Sequence, residues 1–419
     1  MKINHLTLRI ALLIMLMLNL TTLSARLQAD TGSCGGQIIT LPFTDVMGNP
    51  FFCQIAAAYF SGLTNGTSAT TYTPSQAVPR EQMAAFVSRT LDQSVRRSSK
   101  RAALGRWWLP NSIEAFGVSG VQLAPQYVVS DGADLWVSNT SSNTITRVRA
   151  SDGQTLGNYT GVPTPEGIIV VGDNVFVVSF QSPGKIYSAL IINQPPSSMS
   201  QFMTSSPLGN NPVGITFDGQ NLWTANFGTG LGTGSISKVE LTGSIPRPSV
   251  TYATGFSQPT GILFDGSNLW VTDRGDDKLK RVDPDSGTVL NAISVGSDPN
   301  FPVFDGTNLW VPCGSANTVA VVRAVGGLRD TVLAQLTGNG LSGPIQAAFD
   351  GERILVTNYT SPDNRVSLWK AADLTPIGSF SLHGPSTCNN SPTGACSDGL
   401  HFWVTLSQGT CGVHALYRL

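Results

Sequence analysis

The sequence predicts a mainly β chain, a seven-bladed β-propeller preceded by a small α-helical module. An Asp-Gly turn followed by a large apolar residue recurs from residue 131 onward, six times intact and once altered. The large residues lie 40 to 48 residues apart, the repeat length of a four-stranded propeller blade. The stretch before residue 107 lacks this repeat and spaces its apolar residues as a helix does. The aligned large residues are Trp136, Phe176, Trp223, Trp270, Trp310, Leu355 and Trp403.

Residues 1–29 are interpreted as a signal peptide that directs export. Lys2 and Arg9 supply positive charge, and the apolar run Ile10–Leu20 is shorter than the roughly 20 residues that span a bilayer. Small residues follow, with Ala29 as one possible cleavage point. A retained membrane anchor is the alternative. Since no later stretch reads as a transmembrane helix, we expect a protein of the cell surface, cell wall or periplasm.

Residues 30–106 are predicted to form the helical module and a basic linker. Phe51–Phe60 is rich in alanine with apolar residues at helical spacing, and Gly62 is placed to end that helix. A second helix is expected to start near Pro79, a residue favoured at first helical positions. The linker that follows has a surplus of basic residues, typical of a solvated segment or of a contact with acidic wall polymer.

Residues 107–419 are predicted to form the propeller, and the fourth repeat shows how one blade is built. Gly261–Phe264, Leu269–Thr272, Lys278–Val282 and Val289–Val295 read as strands separated by polar turns. One such sheet cannot bury both faces alone, so stacking in a ring is the stable arrangement. The aligned tryptophans are accordingly interpreted as packing between blades, with ligand stacking as the alternative.

The last repeat ends at Leu419 before a fourth strand. Ser112–Val118 resembles the outer strands of other repeats, so we expect it to complete the last blade and close the ring. Six or eight blades are the alternatives, because the repeat around Phe176 is weak.

Polar residues follow the aligned aromatic residue by three positions in several repeats. Corresponding strand ends gather on one face of a propeller, so these side chains could form a ring that binds a cation or a sugar. The alternative is that they satisfy the backbone of the following turns. The candidates are Asn139, Asn226, Asp273 and Asn358.

A catalytic set is not evident in the sequence. After the signal only His383, His401 and His414 remain, all in the last blade region, and no nucleophile elbow or phosphate-binding loop stands out. We therefore expect no catalytic residue, cofactor or resident metal, although enzymatic activity is not decided by this pattern.

Six cysteines are compatible with disulfides in an oxidising compartment. Cys34 and Cys53 bracket one short segment, and Cys388 and Cys396 bracket another, so each pair is a possible disulfide. Elimination then leaves Cys313 with Cys411, among fifteen possible connectivities for six cysteines.

The repeats resemble YVTN-type propellers, the surface-layer and NHL-like class, in motifs such as Val356-Thr-Asn followed by the alternating strand Arg365–Trp369. This resemblance implies the propeller fold. Its motifs are shared by binding proteins, lyases and lactonases, so it implies little about function.

The helical module resembles a single surface-layer homology (SLH) module over residues 39 to 92. Phe43-x-Asp-Val, Gly62-Leu-Thr-Asn-Gly, Tyr72-x-Pro and Val78-Pro-Arg-Glu-Gln match its pattern in order, with Gln82 replacing the usual acid. SLH modules associate with cell-wall polysaccharide and commonly occur in threes. The resemblance implies that Asp45, Gly66 and Arg80 bind the glycan.

Together these observations favour an exported, envelope-associated, non-enzymatic protein. The module would bind cell-wall polysaccharide or a peptidoglycan-linked glycan, and the propeller would bind a protein or glycan, with a homo-oligomer possible. An exported propeller lyase or lactonase-like hydrolase with a metal-assisted site on one face is the alternative. A formal net charge of -1 supplies no attraction for nucleic acid.

Overall fold

The computed structural model describes residues 29–34, 36–87, 116–118, 121–191, 198–202, 207–241, 249–252, 254–360, 364–382, 390–409 and 415–419. The predicted signal peptide up to residue 28 and the basic linker from residue 88 lie outside the described residues, as do His383 and His414.

Seven antiparallel sheets of four strands form the propeller. First strands of successive blades contact one another around most of the ring, from blade one to blade four, from blade five to blade seven and from blade seven back to blade one, so the first strands form its innermost layer. The strands of the first three blades are β4 (Pro125–Ser130), β5 (Asp134–Asn139), β6 (Thr144–Arg149), β7 (Thr155–Tyr159), β8 (Pro165–Val171), β9 (Asn174–Ser179), β10 (Lys185–Leu190), β11 (Ser200–Gln201), β12 (Pro212–Phe217), β13 (Asn221–Asn226), β14 (Ser235–Glu240) and β15 (Ser249–Tyr252).

Blades four to six repeat the same order, and blade four matches the strands expected for it within two residues. The strands are β16 (Pro259–Phe264), β17 (Leu269–Asp273), β18 (Lys278–Val282), β19 (Val289–Ser294), β20 (Val303–Phe304), β21 (Asn308–Cys313), β22 (Thr318–Arg323), β23 (Val332–Leu336), β24 (Pro344–Phe349), β25 (Arg353–Asn358), β26 (Arg365–Lys370) and β27 (Pro376–Ser381).

The seventh blade closes the ring with a strand from the other end of the propeller. It contains β28 (Asn390–Ser397), β29 (Phe402–Gly409) and β30 (Ala415–Arg418), and β30 pairs with β3 (Phe116–Val118) in antiparallel register. The expected closure and the blade number are thereby confirmed. Pairing β3 with β30 covers a sheet edge that would otherwise expose unpaired backbone groups.

The recurrent Asp-Gly turn is held by one contact that explains its sequence. In blade four, one oxygen of Asp265 accepts the backbone N–H groups of Ser267 and Asn268 at 2.8 and 2.7 Å. The other oxygen accepts the indole N–H of Trp270 at 2.7 Å. The same indole contact joins Asp131 to Trp136, Asp218 to Trp223, Asp305 to Trp310 and Asp398 to Trp403.

Blade six has leucine in place of the tryptophan and keeps the contact by another route. Nε of Arg353 donates to Asp350 at 2.9 Å, so the guanidinium donates the hydrogen bond that an indole donates in the other blades. The carboxylate of the turn is therefore bonded on both oxygens in this blade too.

The aligned large residues pack between blades, as predicted. Each is almost fully buried and shares an apolar cluster with the second strand of the following blade. The last blade packs on the first in the same way. The pairs are Trp136 with Val177, Phe176 with Leu222, Trp223 with Leu269, Trp270 with Leu309, Trp310 with Ile354, Leu355 with Phe402, and Trp403 with Leu135.

The N-terminal module consists of a hairpin and two helical segments. β1 (Thr31–Cys34) pairs with β2 (Gln37–Thr40), a hairpin that the sequence did not predict. Helix α1 (Phe52–Phe60) ends as expected, where the backbone N–H of Gly62 donates to the carbonyl of Tyr59. Residues 80–87 are helical, and this segment begins at the expected place.

The second helical segment is less buried than its apolar residues suggested. Met83 and Val87 are 50% and 62% exposed, whereas Phe86 is half-buried. In the described part of the chain no helix is long and apolar enough to cross a membrane.

Of the expected disulfides, the one between Cys34 and Cys53 is confirmed, and it joins β1 to α1 with the Cα atoms 5.7 Å apart. The expected bonds of Cys396 and Cys313 are not formed, because both are free thiols in the structure. Cys313 is fully buried at the end of β21, where its thiol donates to the carbonyl of Val311. Their expected partners, Cys388 and Cys411, lie outside the described residues.

The module packs against blades five and six and shares one apolar core with them. Phe43 and Phe60 from the module lie in the same buried cluster as Trp310 and Leu336 from blade five. The guanidinium of Arg323 donates to the carbonyls of Tyr59 and Phe60, and Nδ2 of Asn308 donates to the carbonyl of Phe60 at 2.8 Å. The end of α1 is thus bonded to the propeller.

Candidate functional site

The module contains a groove of about 600 Å³ between a loop and the second helical segment. We call it the module groove. Its walls are residues 64–67, residues 72–74 and 76–78, and the side of the second helical segment that carries Gln82, Ala85 and Phe86. Of the three residues that the SLH resemblance implies for a glycan, Gly66 lines this groove.

Asp45 supports the module groove from behind. Its carboxylate accepts the backbone N–H of Tyr72 at 2.9 Å and that of Thr73 at 2.7 Å. Both residues line the groove, whereas Asp45 does not. Asp45 therefore positions one wall of the groove.

Gly66 lines the module groove at a point where no side chain fits. Its φ is +83°, in the left-handed region that glycine adopts readily. A Cβ built there would overlap the ring of Phe43 and the carbonyl oxygen of Thr71. The position therefore requires glycine, because protein atoms already occupy the space where a side chain would begin.

Arg80, the third predicted residue, is exposed at the first position of the second helical segment and lies outside the groove lining. Gln82, which departs from the SLH pattern, lines the groove instead. The structure thus brings Gly66 and Gln82 together at the groove and places Asp45 and Arg80 around it.

The lining of the module groove is polar and uncharged. Asn65, Gln76 and Gln82 supply side-chain amides, and Tyr72 and Phe86 supply aromatic faces. Burial raises the pKa of Tyr72, so its phenol stays protonated at neutral pH. Amide donors and acceptors beside aromatic rings suit a ligand with many hydroxyl groups and an apolar face, such as a sugar.

The predicted polar residues of the propeller occupy one repeated position. Each lies opposite a proline at the start of the blade's first strand, and each is buried. Their side chains bond within their own blades: Asn139 to Thr146 at 2.8 Å, Asn226 to Ser237 at 2.9 Å, Asp273 to Lys280 at 2.6 Å, and Asn358 to Ser367 at 2.9 Å.

The bonding of Asp273 explains its presence among amides. Besides Lys280, it accepts the backbone N–H groups of Ser257 and Gln258, both at 2.7 Å. Its charge is matched by a buried ammonium. Among the described residues no group of three or more histidine, cysteine or acidic side chains is placed to hold a metal ion.

His401, the histidine considered for catalysis, belongs to the recurrent turn of the last blade. Its Nδ1 lies 3.4 Å from Oδ2 of Asp398, the oxygen that also accepts the indole N–H of Trp403 at 2.8 Å. Although burial opposes ionisation, these hydrogen bonds hold the pKa of Asp398 well below its usual range. The pair is therefore already used to hold the turn.

Glu166 is a titratable residue that sequence reasoning missed. It accepts a hydrogen bond from Tyr127, whose ring lines a channel of about 140 Å³ along the innermost strands. Burial raises the pKa of Glu166 to about 7, although the hydrogen bond from Tyr127 lowers it. The signal was present, since Pro165-Glu-Gly starts a first strand where the equivalent repeats have the uncharged Gln126, Val213 or Thr260.

The titration of Glu166 predicts a pH-dependent stability. The folded protein holds a proton on Glu166 up to about pH 7, whereas the unfolded chain releases it near the ordinary glutamate pKa of 4.5. This contribution to stability is therefore full below pH 4.5 and is lost as the pH rises to 7. We expect the melting temperature of Glu166→Gln to fall less than that of the wild type between pH 5 and 7. Equal slopes for the two proteins would contradict the assignment.

Two solved structures share the fold of the propeller. A streptogramin B lyase structure is 16% identical, with a TM-score of 0.53 over 73% of this chain and 96% of its own. A hydrazine synthase from Kuenenia stuttgartiensis is 18% identical, with a TM-score of 0.55 over 74% of this chain and 99% of its own. At such identities the likeness extends to the fold alone. No protein-family model and no curated protein matches the chain.

Proposed function

We propose that the chain is an exported, non-enzymatic protein of the cell envelope whose module groove binds a wall polysaccharide. The observation that carries the proposal is the groove itself, which combines side-chain amides with aromatic faces in an uncharged lining. Export is supported by the apolar N-terminal sequence and is compatible with the disulfide between Cys34 and Cys53.

The packing of the module supports a role for the propeller as a displayed body. Because the end of α1 is bonded to blade five, the propeller has a fixed orientation relative to the groove. A glycan held in the groove would therefore hold the propeller in a defined orientation at the wall. The propeller faces would then be free to bind a protein or a glycan.

The proposal is tested by co-sedimentation of the mature protein with purified cell-wall sacculi. Gln82→Ala removes an exposed amide from the groove lining. We expect sacculus binding to weaken about tenfold, because the ligand loses one hydrogen-bond partner. Glu81→Ala is the matched control, because Glu81 is equally exposed on the same turn and does not line the groove. Equal binding by the two variants would contradict a glycan site in the groove.

A second pair of variants tests the backbone at Gly66. Gly36 has a φ of +84° with open space around its Cβ position, so Gly36→Ala carries the same backbone strain as Gly66→Ala without the overlap. We expect only Gly66→Ala to lose sacculus binding, because the displaced Phe43 ring and Thr71 carbonyl distort the groove. Melting temperatures of both variants separate a distorted groove from global unfolding, and binding by Gly66→Ala at wild-type strength would count against the proposal.

A further inference from the structure

A second cavity, of about 890 Å³, lies where the module meets the turns of blades four and five. We call it the interdomain cleft. The module contributes Gly62 and Asn65. The propeller contributes residues 265–267, residues 304–307, Arg323, Val325, Gly326, Arg329 and Phe349. Asn65 also lines the module groove, so the two cavities adjoin at this side chain.

We infer that the interdomain cleft is a second subsite for the glycan, one that receives an anionic substituent on Arg329. This inference rests on the proposed function, because it extends the ligand of the module groove past Asn65. The propeller would then also bind the wall polymer, and the polymer would carry a negative charge.

The carboxylates around the interdomain cleft are bonded within the protein. The acidic groups of the lining, Asp265 and Asp305, direct their carboxylates to their own turns and to the indoles of Trp270 and Trp310. Asp330, next to the cleft, is bonded through both oxygens to Arg281 at 2.8 and 2.9 Å.

The two arginines of the cleft are used differently. Arg323 is buried and donates to carbonyl groups of the module. Arg329 is exposed, and its guanidinium can offer paired N–H donors to a carboxylate or phosphate. Arg329 is therefore the lining arginine whose guanidinium is exposed to a ligand.

The remaining lining suits a carbohydrate chain. Phe304 and Phe349 are half-buried and present apolar surface, and Gly266 and Gly306 leave the backbone of two propeller turns accessible. Because the module is bonded to blade five, the distance between the groove and the cleft is fixed before a ligand arrives. A polymer that spans both sites would gain contacts without a further ordering cost for the protein.

The experiment measures binding of the mature protein to native sacculi, to sacculi whose carboxyl groups have been converted to amides, and to sacculi treated with cold hydrofluoric acid to remove phosphodiesters. Arg329→Gln is expected to bind native sacculi about tenfold more weakly than the wild type, because it loses one charge-assisted hydrogen bond to the ligand. Arg149→Gln is the control, an exposed arginine paired with Asp152 on blade one.

The chemical treatments identify the anion. Loss of the difference between wild type and Arg329→Gln after amidation assigns a carboxylate, and loss only after hydrofluoric acid assigns a phosphate. A difference that survives both treatments, or equal binding of the two proteins to native sacculi, overturns the inference. If wild-type binding depends on Gln82 and not on Arg329, the groove stands without the cleft. Absence of wild-type binding to any sacculus overturns both proposals.

Discussion

Phe60→Ala is expected to lower the free energy of unfolding by about 3–5 kcal/mol, the cost of removing a large buried ring without collapse of the cavity. Phe60 is the last residue of α1 and has no exposed surface. It lies in the cluster that joins the module to Trp310 and Leu336 of blade five. The mutation therefore weakens a core that belongs to both parts of the chain.

The readout is the thermal transition followed by tryptophan fluorescence, since the module residues 30–87 contain no tryptophan and the signal reports largely on the propeller. We expect a single transition that shifts to lower temperature in Phe60→Ala. Phe51→Ala is the control, because Phe51 precedes the same helix and is 63% exposed. A tryptophan transition that stays at the wild-type temperature in Phe60→Ala would show that the propeller unfolds independently of the module.

The propeller could be predicted from the sequence because its repeats obey one local rule. The turn aspartate, the indole donor and the packing of that indole on the next blade recur at the same spacing, so blade number and ring closure followed from counting. The hairpin β1 and β2 was missed because each strand has four residues and the segment shows no alternation.

The docking of the module could not be predicted, since it depends on surfaces from distant parts of the chain. Phe43 and Phe60 were recognisable as apolar, yet their contact with Leu336 appears only when blade five is folded. The same holds for Arg323, whose buried guanidinium donates to carbonyls more than 260 residues away in sequence.

Only part of the candidate sites was accessible to sequence reasoning. Gly66 was proposed through the resemblance to SLH modules, and it lines the groove in the structure. Gln82 was noted only as a departure from a pattern. Arg329 was missed because its exposure and the commitment of the neighbouring carboxylates are properties of the folded surface.

Trp270→Ala is expected to destabilise the protein by about 3–5 kcal/mol, because two separate contributions are lost. Trp270 shares a buried apolar cluster with Leu309 and Val311, so removal of its ring leaves a cavity between blades four and five. Loss of the indole also removes the hydrogen bond that Oδ2 of Asp265 accepts at 2.7 Å. A carboxylate oxygen that loses its partner adds a desolvation cost of about 1–3 kcal/mol when fully buried, and Asp265 is half-buried, so the lower end of this range is expected.

Trp270→Phe separates these contributions, since it keeps an aromatic ring in the cavity and removes only the N–H donor. We expect it to cost about 1–3 kcal/mol, less than Trp270→Ala. In a protein that already carries Asp265→Ala, Trp270→Phe should lower the free energy of unfolding little further, because the carboxylate oxygen that would lack a donor is absent. Denaturant unfolding of the wild type, Trp270→Phe, Asp265→Ala and the double variant measures the coupling energy between the two side chains. Strict additivity would show that the recurrent aspartate acts through the turn N–H groups alone, and that the tryptophan was retained for its packing.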